Sequence, residues 1–379
     1  MTTYLPPTEE QQALRGTLRV FFRERWPETE LRASLELADG HPRGLWRAMA
    51  DELGLHGVAV PEELGGSGFD YADLLVVLEE MGSALVGGPF FASVALAAPL
   101  LLALPDSADV RAELDGVATG ARVATVAVAE QPTRWHADTF GTRVEGAGPE
   151  RRVTGEKLFV LAAEVADTFL VLGRLPDGQP AVLAVEPGAG VGVEPMRTVD
   201  LTRRQARVRF DGALGHLLAT GAAAEEAVAT MTSYACVALA AEQVGGAQRV
   251  VRMASEYAQV REQFGRPIGA FQAIKHQLSD ALVAVEAARA ALAHAGAAYG
   301  TPGFARAASV AKAFCSEVYS AAAETTIHVH GGIGFTWEHP AHLYYKRAVT
   351  SEVLLGGPRQ HREQIAQSLL APGTQETAR

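Results

Sequence analysis

Apolar residues recur along this chain with two different periods, and the period changes twice. Leu14, Leu18, Phe21 and Phe22 share one face at helical spacing, and Leu74, Leu75, Val77 and Leu78 mark a second helix. Thr8-Glu9-Glu10 opens the first of these as a helix-start signal. From about residue 121 the apolar positions instead form short runs rich in β-branched residues. Val123-Ala124-Thr125-Val126-Ala127-Val128 reads as a buried strand, and Val153-Thr154-Gly155 leads into another at Leu158-Phe159-Val160-Leu161. Phe169-Leu170-Val171-Leu172 and Ala181-Val182-Leu183-Ala184-Val185 flank Pro176-Asp177-Gly178-Gln179, which reads as a hairpin turn. Alternation in Arg207-Val208-Arg209-Phe210 extends the β pattern. Beyond about 217 the chain is alanine-rich and helical again, broken chiefly at Gly265–Gly269, Gly300–Gly303, Gly331–Gly334 and Gly356–Pro358. Helices, then a sheet, then helices predict an α+β protein with a helical domain over 1–120, a small β barrel or sandwich over 121–216 and a helical bundle over 217–379.

Composition narrows the class. A formal charge of -11 argues against a nucleic-acid partner, which calls for a basic face. The N-terminus shows no basic-plus-apolar signal peptide. Met81 to Pro105 contains no charged residue, yet Gly87-Gly88-Pro89 and Pro99 interrupt it and its flanks are Glu79-Glu80 and Asp106. Buried helices explain that stretch better than a membrane span. The two cysteines, Cys236 and Cys315, sit in helical contexts and offer neither a disulfide framework nor zinc spacing, so a cytoplasmic protein is expected. Val58 to Gly68 is glycine-rich after an apolar run but matches neither nucleotide-binding loop, and a tight turn is expected there. His328, His330, His339 and His342 carry no carboxylate pairing, and no metal site is assigned to them.

Several motifs together resemble the acyl-CoA dehydrogenase family. They are Leu45-Trp46 through Glu52-Leu53-Gly54-Leu55 with Val60-Pro61-Glu62-Glu63-Leu64-Gly65-Gly66; Val153 through Lys157 with Ala166-Asp167; Arg261-Glu262-Gln263-Phe264-Gly265-Arg266-Pro267-Ile268 with Phe271-Gln272; and His330-Gly331-Gly332-Ile333-Gly334-Phe335 through Pro340. The resemblance implies an acyl-CoA dehydrogenase-like fold binding FAD between the β domain and the bundle and reaching a neighbouring subunit. With no βαβ alternation, the flavin would be held without a Gly-rich strand–helix turn. By similarity, Arg261, Gln263 and Phe264 would contact the neighbour's FAD, the guanidinium forking onto phosphate and the ring meeting adenine. Gln272, His328, Gly331 and Gly332 match further flavin-contacting positions in the bundle, and Ala129 and Phe159 match them in the β domain. Ala129-Glu130-Gln131-Pro132 stands where the family has a Thr-Glu-Pro-Gly stretch, and Phe159-Val160-Leu161 lacks the family's hydroxyl.

The family oxidises an acyl-CoA thioester to the 2,3-enoyl-CoA, and a glutamate removes the weakly acidic α-proton. Counting from Arg347 places the usual base position at Gly356, and a one-residue gap places it at Leu355. The alternative base position, on the first bundle helix, falls at Ala235, with Cys236 in place of an arginine that often contacts CoA. No carboxylate occupies either position, although a backbone N–H at Gly356 is still offered to a thioester oxygen. Two acids are fallback candidates. Glu352 lies one turn before Gly356, and Glu242 lies seven residues after Ala235, about 10 Å along a helix. A capped or solvated carboxylate is the simpler account of each.

The resemblance is nearest to the subunit of actinobacterial heteromeric acyl-CoA dehydrogenases that lacks the glutamate. It implies an acyl-CoA or acyl-carrier thioester as substrate, an electron-transfer flavoprotein as acceptor, and a homodimer, a homotetramer or a heterotetramer with a glutamate-bearing member. Two alternatives remain open: a self-sufficient flavoenzyme with a relocated base, and a non-catalytic acyl-binding scaffold.

Overall fold

The computed structural model describes residues 8–131 and 140–370, which divide into two compact units. The first comprises residues 8–28, 75–86 and 236–370, and the second 29–74, 87–131 and 140–235.

The first unit is helical. Helix α1 (Glu9–Arg25) starts on a capping box: Thr8 Oγ1 accepts from Gln11 N–H and the Gln11 side chain accepts from Thr8 N–H. That pairing satisfies two of the amides a helix start leaves open, and the helix buries Leu18, Phe21 and Phe22. Most of α4 (Tyr71–Ser83) and of the forty-residue α7 (Gly221–Val260) joins α8 (Gln272–Ala297), α9 (Phe304–His330), α10 (Ala341–Val353) and α11 (Pro358–Leu370). Glu79 and Glu80 close the charged end of α4 inside this unit. Arg15 donates to both at 2.8 Å, Arg289 donates to Glu79 at 2.5 Å, and Arg19 donates to Glu80 at 3.0 Å. The uncharged stretch after them is buried protein interior: Leu85 and Val86 here, and in the second unit a π-helical segment Phe91–Ala97 running into α5 (Ala98–Ala103). No helix among the described residues is long and apolar enough to cross a membrane.

The second unit carries α2 (Glu28–Leu35), α3 (Arg43–Asp51), α6 (Ala108–Ala118) and the sheet. The strands are β1 (Ala124–Ala127), β2 (Arg143–Glu145), β3 (Glu150–Leu161), β4 (Thr168–Arg174), β5 (Pro180–Val185), β6 (Val191–Pro195) and β7 (Gln205–Thr220). Pairing runs β4–β2–β3–β7–β5 and returns to β4, so five strands close a ring, with β1 added on β4 and β6 on β7. Of the two shapes allowed by the sequence, a barrel forms. Its interior is filled by alternate residues of these strands, including Val144, Val153, Phe169, Val171, Leu183 and Phe210. The β4–β5 hairpin turns at 176–179, where Gly178 takes φ +85°.

His56 lies in the same unit, fully buried, with its ring 4.0 Å from Trp46 and 5.3 Å from Phe90 between centroids. Neither of its ring nitrogens reaches a hydrogen-bond partner among the described residues. Burial, with a smaller push from His41, brings its pKa down to about 4. A group whose folded pKa is depressed binds its proton preferentially when unfolded. The stability it confers is therefore complete above about pH 6.5 and is lost as pH falls toward about 4, on the order of 3 kcal/mol. Thermal melts between pH 7 and pH 4.5 should fall more steeply for the wild type than for His56→Leu. Parallel curves would remove His56 as the cause.

Candidate functional site

The turn between α10 and α11 is the centre of interest in the helical unit. Leu354 and Leu355 are buried, Leu355 only 3% exposed. Leu355 takes φ +61°, a left-handed conformation that a side chain tolerates at some cost, whereas Gly356 takes φ +98°, which favours glycine. The Gly356 N–H already donates to Val353 O at 3.2 Å, so the free amide expected there from the sequence is engaged. On α7, Ala235 is fully buried. The adjoining Cys236 has its thiol pushed up to about 12 by burial, against the opposing pull of Lys312.

Both fallback carboxylates have partners of their own. Buried Glu242 faces Arg347 at 3.8 Å, and that arginine also donates to Val86 O. Glu352 accepts a 2.5 Å hydrogen bond from the Ser320 hydroxyl. In both arrangements the carboxylate is engaged by a neighbouring side chain.

Lys312, in the middle of α9, is fully buried. Its Nζ donates to Ser316 Oγ at 3.0 Å, to Glu352 O at 3.0 Å and to Gly356 O at 3.1 Å. The Ser316 hydroxyl in turn exchanges hydrogen bonds with the Gln243 amide of α7. Burial pulls the Lys312 pKa down to about 8, opposed by Cys236, Glu352 and Cys315. Three donated N–H bonds require the ammonium form. The sequence pattern concealed this residue: a single lysine between Ala311 and Ala313 looks like one more solvated helix charge.

Around Arg261 the chain makes a miniature hairpin. β8 (Glu262–Gln263) pairs with β9 (Arg266–Pro267) across Phe264 and Gly265, which take φ +54° and +76°. Positive φ at both central residues is the mark of the mirror-image turn that suits β twist. The turn presents Phe264 to solvent at 91% exposure, with Arg261 and Gln263 also exposed beside it. Ile268 N–H donates to Arg261 O, closing the hairpin base, and Arg266 lies over the Phe271 ring at 4.3 Å. Ala254 and Ala258 of α7, Ile268, Ile274 and Leu278 pack with Val329 of α9 beneath it. Gln272 opens α8 with its side chain exposed, and His328 is exposed on the last turn of α9. Next to it, His330 is buried between Tyr257 and His339, and its Nδ1 meets Thr326 O. At the end of α9, Gly331 and Gly332 have open space where a side chain would stand, so a ligand has access to backbone there.

In the barrel unit, Ala129 and Phe159 are neighbours through the backbone, since Leu158 N–H donates to Ala129 O at 2.7 Å. Phe159 sits at an irregularity of β3 with φ +57°. Below it Lys157, fully buried, donates to Val128 O and to the Glu130 carboxylate, which also accepts from Thr142. This pair pins the loop at Ala129-Glu130-Gln131, while Pro132 of the same stretch lies outside the described residues.

Two family descriptions match the sequence: the acyl-CoA dehydrogenase N-terminal domain over residues 8–135 and the C-terminal domain over 217–370. Acyl-CoA dehydrogenase IpdE2 of Mycobacterium tuberculosis is 34% identical over 94% of this chain and 96% of its own length. The chain belongs to the acyl-CoA dehydrogenase family. It is an oxidoreductase fold of flavoprotein type, with the helical, β and helical order of that family. Among solved structures, a Tcur3481–Tcur3483 steroid acyl-CoA dehydrogenase is 31% identical with a TM-score of 0.85, covering 95% of this chain and 97% of its own. The ChsE4–ChsE5 complex from Mycobacterium tuberculosis is 29% identical with a TM-score of 0.88, covering 97% and 99%.

Proposed function

We propose that this chain is a flavin-contacting subunit of a heteromeric acyl-CoA dehydrogenase acting on a bulky, steroid-type acyl-CoA, with the catalytic glutamate on its partner chain. The observation that carries this reading is the α10–α11 turn: its backbone is tied down, yet Leu355 and Gly356 bring no carboxylate to it. The pairings of Glu242 and Glu352 weigh against a relocated base. The two related structures named above each contain two different chains by their descriptions, and one is described as acting in steroid chemistry.

The residues present fit FAD. The exposed Phe264 face and the Arg261 guanidinium beside it suit an adenine and a phosphate of a neighbouring subunit's flavin. Gln263, Gln272 and His328 add polar atoms on the bundle, Gly331 and Gly332 give backbone access, and Ala129 and Phe159 stand on the barrel loop. When bound, FAD supplies a hydride acceptor for α,β-desaturation. With the one-residue gap, Leu355 takes the place of the base, and in this reading it excludes water and packs against the acyl group without taking a proton. The φ values favour Leu355 over Gly356 for that role, because only glycine suits the residue that follows.

An anaerobic titration with acyl-CoA thioesters, steroid side-chain thioesters included, tests the reading through flavin absorbance at about 450 nm. Bleaching is expected only when the chain is co-purified with a glutamate-bearing family member. Bleaching by the chain alone would place a base within it and overturn the division of labour.

A further inference from the structure

The α10–α11 turn is held by two side chains, His361 at the Leu355 carbonyl and Lys312 from α9 at the carbonyls on either side, and no feature of the sequence marks the lysine. Lys312 lies one helical turn before Ser316 on α9 and spends all three of its N–H bonds on fixed oxygens. Two of those oxygens, the carbonyls of Glu352 and Gly356, bracket Leu355. The third, Ser316 Oγ, is itself held by Gln243 of α7. The Glu352 carbonyl belongs to the last turn of α10, where helix carbonyls lack intrahelical donors and a cation is favoured. An ammonium is costly to bury, and here the cost is offset by a complete set of acceptors. A lysine kept in this way grips main chain on both sides of Leu355, one of the two positions in this turn where the family's base is expected.

Taking that turn to face an acyl-CoA, as proposed above, we propose that Lys312 is a positioning residue for the thioester: it fixes the 353–357 backbone so that Leu355 meets the acyl group in one orientation. Lys312 touches no substrate in this assignment. It acts through Glu352 O and Gly356 O, and the Ser316–Gln243 pair transmits the rigidity of α7 and α9 to the turn. The alternative is that Lys312 serves the bundle core generally, without a local effect on the turn.

Amide hydrogen exchange and calorimetric binding of octanoyl-CoA by the full chain separate these roles. In Lys312→Met, exchange at residues 354–357 is expected to rise about tenfold or more while the central turns of α7 and α8 keep their protection. Octanoyl-CoA affinity is expected to fall at least about fivefold. Lys312→Gln keeps two N–H donors without the charge and should fall between wild type and Lys312→Met in both readouts. Unchanged exchange at 354–357, equal acceleration across the whole bundle, or a glutamine variant no better than methionine would overturn the assignment. If Lys312→Met does not fold, the glutamine variant against wild type carries the same comparison: faster exchange confined to the turn supports it, and none overturns it. Failure of the wild type to bind either octanoyl-CoA or a steroid side-chain CoA thioester would count against the acyl-CoA reading, while the exchange measurement would still decide what Lys312 holds.

Discussion

Gly245→Val is expected to abolish folding of the helical unit, with Gly245→Ala already severe. Where α4 and α7 cross, a Cβ on Gly245 would lie 1.8 Å from Glu79 O and 3.0 Å from Ser83 N. The crossing is reciprocal, since a Cβ on Gly82 would lie 2.1 Å from Glu242 O. Both obstacles are main chain, so no side-chain rotation relieves them and the helices must separate. Separation would break more than packing, because Glu79 holds Arg15 and Arg289, and Glu242 faces Arg347. Overpacking against movable side chains costs about 1–3 kcal/mol, and a clash with backbone across a buried ion network should exceed that. The total stability of a domain is about 5–15 kcal/mol, so such a loss is enough to unfold it. Soluble yield and circular-dichroism melts check this, with Gly192→Ala as the control because its Cβ meets nothing closer than 4.0 Å. A Gly245→Ala chain melting with the control would refute the close crossing.

If the partner chain supplies the base, as proposed, Leu355→Glu is expected to give the chain a dehydrogenase activity of its own. The left-handed φ of Leu355 is already borne by a residue with a Cβ, so glutamate adds no new backbone strain there. Its carboxyl would be placed in a buried setting, which raises a carboxylate pKa toward the range useful for a general base. The backbone carbonyls on either side remain held by Lys312. Gly356→Glu should fail, because φ +98° disfavours any Cβ and the new side chain would meet Gln360 Oε1 at 3.0 Å and His361 Nε2 at 3.2 Å. General-base catalysis contributes typically 10²–10⁴-fold, so restored turnover should be well above background, about a hundredfold or more. Anaerobic bleaching of the flavin by a single addition of steroid-type acyl-CoA measures it. Activity in the position 356 variant and none in the position 355 variant would reverse the assignment of the base position.

Much of the architecture was legible in the sequence because periodicity reports burial directly. The runs at 123–128, 158–161, 169–172 and 181–185 became strands because one face of each had to fill the barrel. Thr8 announced α1 because a cap is a local device. Four features were hidden for physical reasons. Gly245-Gly246 looks like a helix break, yet α7 continues through it, since glycine there admits a neighbouring backbone. The choice between Leu355 and Gly356 depends on φ, which no spacing encodes. Lys312 was concealed because its partners in the turn are carbonyl oxygens forty or more positions away, and main-chain acceptors leave no mark in the sequence. The pairing of Glu242 with Arg347 was hidden in the same way: each residue looks ordinary until the fold brings them together.

That Lys312 holds the turn through main-chain oxygens bears on how such chains diverge. A support that gripped the side chain of residue 355 would tie the two positions together, so that changing one would demand a change in the other. Here the grip is indifferent to what residue 355 carries. After gene duplication, one copy can drift to leucine and its sister can keep a carboxylate while both inherit the same backbone mount. Loss and recovery of the acid then become neighbouring steps in sequence space, and a pair of chains can share one chemistry without rebuilding the scaffold of either.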